Sequence, residues 1–191
     1  MARRSMPPCM FAGGRRGRRV ALAPLVAAAL LSMNGTSFAQ TAAQQHAQAR
    51  EVQAKALLGK YAADPGWHDS DGLMKEPAVR AELQRVVGNQ LPRLMQNINV
   101  RGSIDHYGGS LMISGNAPHK GGEEEGVVCV HPHGPGLVEA AIFSKGRITV
   151  FATAEKYEYL TLCVKDWITQ VNSGHRDRFT QPKNVQRVRA K

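Results

Sequence analysis

Between two strand-like runs, Ser110–Ser114 and Gly126–Val130, the chain carries Asn116-Ala117-Pro118-His119-Lys120-Gly121-Gly122 and then Glu123-Glu124-Glu125. His119 is the versatile group here, because an imidazole can donate at one ring nitrogen and accept at the other. Pro118 fixes one φ angle, while Gly121 and Gly122 permit backbone that other residues avoid. A loop of that make-up between paired strands is a place where binding groups are presented. The plain alternative is a solvated hairpin connection with an incidental histidine. Like-charged Glu123 to Glu125 read first as a solvated loop face. His131 and His133 flank Pro132 and, with His119, offer three imidazoles on neighbouring loops, so a metal-binding module is a further reading. Histidines two apart in a turn usually face solvent, and no supporting carboxylate pattern surrounds them. No metal or cofactor is therefore assigned.

Catalytic patterns are missing. No serine sits in a nucleophile-elbow context, and no cysteine has a histidine partner set by spacing. Asp105 and His106 are consecutive in a strand and point to opposite faces, which argues against a pair. The chain reads as a binding protein, not an enzyme.

The elements that must position the loop follow from periodicity. Gln40 to about Tyr61 is rich in Ala, Gln and Lys and predicts a helix, with Val52, Ala56 and Leu57 as its thin apolar face. Ala63–Lys75 holds Pro65, Gly66, Asp69, Asp71 and Gly72 and predicts a loop anchored by Trp67. Pro77 opens a clearer helix whose stripe is Val79, Leu83, Val86 and Val87, ended by Gly88-Asn89. Leu94, Met95 and Ile98 face inward from a short turn beyond it. From Val100 the period changes to two. Strands are predicted at about Arg101–Tyr107, Ser110–Ser114, Gly126–His131, Leu137–Phe143 and Arg147–Thr153, with Val138, Ala140, Ile142, Ile148 and Val150 facing the core. Their short connections favour antiparallel neighbours. A last helix over about Leu160–Ser173 carries Leu160, Cys163, Val164, Trp167, Ile168 and Val171 on one face and stops at Gly174. The expected fold is α+β, a single antiparallel five-stranded meander with helices packed on one face.

The ends of the chain distort its composition. Six arginines and no acid precede Ala39, an apolar run spans Val20–Met33, and Ser37-Phe38-Ala39 offers a cleavage site, the order of a secretory signal peptide. The run is short for a membrane span and contains Pro24, so no stable membrane insertion is expected. Of the formal +10, those six arginines account for more than half, leaving 19 basic residues against 15 acidic ones. Six more basic residues lie beyond Gly174, so Gln40–Gly174 has 13 basic and 14 acidic residues. A near-neutral body removes the argument for nucleic-acid binding. The expected organisation is residues 1–39 as a cleaved signal peptide and 40–75 as a helical segment and loop. Residues 76–174 form the α+β domain, and 175–191 a basic disordered tail. Localisation follows as periplasmic. Cys129 and Cys163 remain after cleavage, and an even pair in an oxidising compartment suggests a disulfide, although spacing alone leaves the pairing open.

With those elements placed, Glu76 to Ser173 resembles the Ivy family of periplasmic inhibitors of c-type (vertebrate) lysozyme. The family's mark is Cys-Lys-Pro-His-Asp-Cys, a disulfide-closed protrusion that carries a histidine into the enzyme's cleft. Pro118 and His119 match it. Asn116 and Gly121 stand where the cysteines would be, Ala117 replaces the lysine and Lys120 the aspartate. The resemblance implies an inhibitory loop of Asn116, Ala117, Pro118, His119, Lys120 and Gly121, a c-type lysozyme as partner, and a possible homodimer. Without the cysteines the loop is expected to lack pre-closure, and ordering each freed residue costs about 1–2 kcal/mol. A non-inhibitory envelope module that contacts peptidoglycan or another protein through the basic tail is the alternative.

Overall fold

The computed structural model describes residues 37–62, 69–133, 136–172 and 177–189. Of the signal-peptide reading over 1–39, residues 1–36 lie outside them, as does the Trp67 anchor.

Helix α1 (Ser37–Ala62) packs with Ala54, Leu57 and Tyr61 buried. Val52, expected on that face, is 68% exposed. The stripe turns because the Tyr61 hydroxyl donates to Glu76 at 2.8 Å, which draws its own face inward. Part of the expected loop is helical: α2 (Ser70–Lys75) is capped by Asp69, whose Oδ1 accepts from the Gly72 N–H at 2.7 Å. That cap satisfies an orphan donor and lets Leu73 and Met74 bury together, so the Asp/Gly composition starts a helix. Helix α3 (Pro77–Val87) begins at Pro77 and buries Val79, Leu83, Val86 and Val87 as the periodicity predicts. After a 3₁₀ turn, α4 (Leu91–Asn97) buries Leu94 and is followed by buried Ile98, while Met95 points outward.

Among the described residues the sheet has seven strands rather than five: β1 (Val100–Arg101), β2 (Asp105–Tyr107), β3 (Ser110–Asn116), β4 (Glu124–Val130), β5 (Val138–Ser144), β6 (Arg147–Ala152) and β7 (Val185–Arg189). Their order is β1-β3-β4-β5-β6-β7, with β2 also on β3. The single long strand expected over 101–107 breaks into β1 and β2, both antiparallel to β3, with buried Ile104 between them. The added strand, β7, comes from the tail and runs parallel to β6.

That strand corrects the expectation of a disordered tail. Val185 is buried, Arg187 donates to the Ala154 carbonyl at 3.0 Å, and Arg189 meets Glu155 at 2.8 Å. Arg178 pairs with Asp166 at 2.9 Å. The tail's basic residues read as a disordered end in sequence because their partners lie far along the chain.

Helices also cover both faces rather than one. Leu111, Ile113, Val128, Val130, Ala140 and Ile142 pack under α1 to α4. Met112, Val127, Cys129, Ala141, Ile148 and Val150 pack under α5 (Leu162–Val171). The central strands are apolar at both parities, which is the signature of a sheet buried on both sides. Hence Val138 and Ile142 face one core while Ile148 and Val150 face the other.

Glu139, whose alternation with Val138, Ala140 and Ile142 points it away from the core expected on their side, is buried beneath α5. Its carboxylate accepts from the Thr161 N–H at 2.9 Å and hydroxyl at 2.7 Å, and Thr161 in turn caps α5. Beside it Cys129 and Cys163 form a disulfide, Cα to Cα 6.2 Å, tying β4 to α5. On the other face Glu82 holds Arg85 at 2.6 Å and accepts from the Leu137 N–H at 3.2 Å. The Arg85 hydrogen bond holds the Glu82 carboxyl below its ordinary pKa.

Candidate functional site

The β3–β4 connection is two turns in series. Strand pairing runs to Asn116 opposite Glu125, and the Ala117 N–H closes the ladder on the Glu124 carbonyl at 2.9 Å. The Lys120 N–H then returns to the Ala117 carbonyl at 3.0 Å, enclosing Pro118 and His119. His119 has φ 62°, so Pro118 and His119 occupy the two central positions of a turn of type II character. Glycine or asparagine ordinarily takes that second position, since a left-handed backbone crowds a Cβ. The second turn closes from the Glu123 N–H to the Lys120 carbonyl at 3.0 Å, with Gly122 at φ 83°. Pro118, His119, Lys120, Gly121, Gly122 and Glu123 are exposed, whereas Ala117 is buried at the base.

Polar contacts brace these turns. The Asn116 side-chain amide donates to the Ala117 carbonyl at 2.8 Å, and the Glu125 carboxylate accepts from the Gly122 N–H at 2.7 Å. Lys120 and Glu124 pair at 3.0 Å. A Cβ built on Gly121 would lie 3.8 Å from the Asn116 Cγ, so the two positions come together without a covalent link. Glu124 and Glu125, read in sequence as solvated, are structural. The signal for them was their place across the hairpin from Ala117 and Asn116, visible only once the register is known.

The root of the loop is set by a close-packed glycine pair. Gly115 lies opposite Gly126; a Cβ on Gly115 would come within 2.6 Å of the Val100 carbonyl, and one on Gly126 within 2.8 Å of Ile98. That absence of side chains lets β1 and the end of α4 clamp the hairpin. Asn97, fully buried, donates to the Glu125 and Phe143 carbonyls at 3.0 and 3.1 Å and joins β4 to β5 there.

A family model, inhibitor of vertebrate lysozyme (Ivy), matches residues 78–173. That span is half of the 191 residues and contains the whole braced loop and both disulfide cysteines. The chain belongs to the Ivy family. No curated protein and no solved structure matches it.

Outside the β3–β4 connection, the other candidate groups are not assembled. His131 follows β4 at the end opposite His119, so the three imidazoles expected on neighbouring loops are separated by the length of that strand. His131 is itself buried, with its Nδ1 on the His133 carbonyl. Among the described residues no group of three His, Cys, Asp or Glu side chains is arranged to hold a metal ion. His106 contacts the Tyr61 carbonyl at 3.3 Å. Among the described residues no helix is long and apolar enough to cross a membrane.

Proposed function

We propose that this Ivy-family chain is an exported, non-catalytic inhibitor of a c-type lysozyme, and that His119 is the group that enters the enzyme's cleft. Pro118 sets the approach, while Asn116, Ala117, Lys120 and Gly121 form the frame. The observation that carries the reading is an exposed histidine held at positive φ on a doubly turned, hydrogen-bonded tip.

Left-handed backbone at a residue with a side chain costs about 1–2 kcal/mol. Such strain persists where the surrounding structure over-determines it, and it concentrates at functional positions. Two carboxyl groups about 5–5.5 Å apart define a retaining glycosidase site. Each hydrogen bond from an imidazole spans about 2.8 Å, and its two nitrogens lie on opposite edges. One ring between the carboxyls can therefore touch both and exclude the sugar. In a cleft shielded from water those contacts are charge-assisted. Lys120 would oppose a basic enzyme surface, but Glu124 neutralises it, and Glu123 beside it favours approach.

The purified protein is expected to inhibit hydrolysis of bacterial cell walls by a c-type lysozyme. His119→Ala should raise the inhibition constant more than about a hundredfold, the equivalent of about 3 kcal/mol. Undiminished inhibition by His119→Ala would remove the histidine from the mechanism. An inactive wild-type protein would remove the inhibitor reading altogether.

A further inference from the structure

Two adjoining cavities of ≈ 470 and ≈ 260 Å³ open beside the β5–β6 hairpin, and they share Arg93, Ile142, Thr149 and Gln186. Lys145 and Arg147 line the larger one. Among the described residues, no acidic one lines either. Several other surface cations, Arg85, Arg101, Arg178 and Arg189, each meet a carboxylate. Arg93, Lys145 and Arg147 are exposed and have no side-chain partner among the described residues.

The wall of the larger cavity supplies a second, independent observation. Ser144 is 7% exposed, and its Oγ is buried with no hydrogen-bond partner among the described residues. A buried hydroxyl without a partner is expensive, at about 1–3 kcal/mol. Next to it, the Gln186 amide donates to the Thr149 Oγ1 at 2.9 Å, leaving the Thr149 hydroxyl hydrogen free for a further acceptor. Three unpaired cations and two hydroxyl donors therefore surround a space with nothing to accept from them.

We infer that this cleft is an anion site for a phosphate group, either free or as a phosphomonoester. A phosphate dianion offers several acceptor oxygens, matches forked guanidinium donors, and tolerates a lysine as a point charge. The two cavities together exceed what inorganic phosphate needs, which leaves room for an organic substituent toward Val87 and Phe151. Ser144 pairs with Glu124 across the sheet, so the cleft lies beside the inhibitory loop without including any of its residues. The assignment does not depend on the lysozyme reading.

Calorimetric titration of the purified protein with inorganic phosphate, and flotation with vesicles containing phosphatidic acid against neutral phosphatidylcholine vesicles, test it. Saturable binding is expected in at least one arm, and the arm that responds identifies a free or a lipid source. Arg93→Gln combined with Arg147→Gln, both at exposed positions, should weaken binding at least about tenfold while the melting temperature without phosphate stays unchanged. Ser144→Ala should weaken it by a smaller factor. Two outcomes overturn the site: no binding beyond that of chloride at equal ionic strength in either arm, or binding that survives the double substitution.

Discussion

Two regions of this molecule are held closed, and by opposite means. The β4–α5 layer is tied by a buried disulfide between residues 34 apart, with Glu139 and Thr161 locking the start of the helix next to it. The β3–β4 tip has no covalent link and is shaped by short-range polar contacts from Asn116, Lys120, Glu124 and Glu125. The covalent tie acts mainly by restricting the unfolded chain, so it adds to global stability. Hydrogen bonds at an exposed tip contribute little to the global balance, but they fix one local conformation before a partner arrives. The family pattern places its cysteines at the tip. Here the core carries the covalent bond and the tip relies on geometry.

The largest expected effect breaks the core tie. Cys129→Ala with Cys163→Ala should lower unfolding free energy by about 3–4 kcal/mol, as read from urea or thermal melts. Lysozyme inhibition, measured at a temperature where the variant remains folded, should change by less than about twofold. Loss of inhibition in a folded variant would show that the tip depends on the α5 layer and that the two regions are not separate.

Acid should loosen the core by a second route. The Glu82 carboxyl sits below its ordinary value of 4.5 because Arg85 donates to it. A depressed carboxylate stabilises fully above the unfolded value, and the contribution disappears as pH falls through the lower folded one. Glu82→Gln is expected to cost about 1–3 kcal/mol at pH 7. The gap from wild type should close once pH drops below the folded value. A gap that persists in acid would mean that shape rather than charge matters at Glu82. Inhibition at pH 7 should be untouched, since none of these groups reaches the loop.

How much of this was legible in sequence divides along the same line. Local regularity was readable: Pro77 opening α3, the stripe of α5, the hairpin connections and the exposed Pro118-His119 all lie where periodicity and turn chemistry place them. Features that depend on distant partners were not. Glu139 looked like an outward strand residue until Thr161 came to lie over it. Arg187 and Arg189 looked like part of a disordered basic tail until Ala154 and Glu155 met them. The two-sided burial of Val127-Val128-Cys129-Val130 was present as an unbroken apolar run, but alternation elsewhere argued for one covered face. At the site the histidine was visible, while its positive φ and the Asn116 and Glu125 brace required the register.

The smallest expected effect is the sharpest test of the comparison. Asn116→Cys with Gly121→Cys would restore a covalent clip where the family pattern has one. The added Gly121 Cβ would stand 3.8 Å from the present Asn116 Cγ, and Gly121 is not among the residues at positive φ, so a Cys fits both positions. A disulfide needs its Cβ atoms about 3.5–4.5 Å apart, so its formation in air is to be checked by thiol titration before inhibition is compared. If the polar contacts already hold the tip in its binding shape, the clip saves little ordering entropy, and inhibition should strengthen by less than about threefold. A gain above a hundredfold would mean that the wild-type tip is ordered only on binding. Mild reductant supplies the control, because the Cys129–Cys163 pair is fully buried, whereas Gly121 is exposed and Asn116 half-buried. Reduction should drop inhibition below wild type, by the amount that the Asn116 amide contributes through the Ala117 carbonyl.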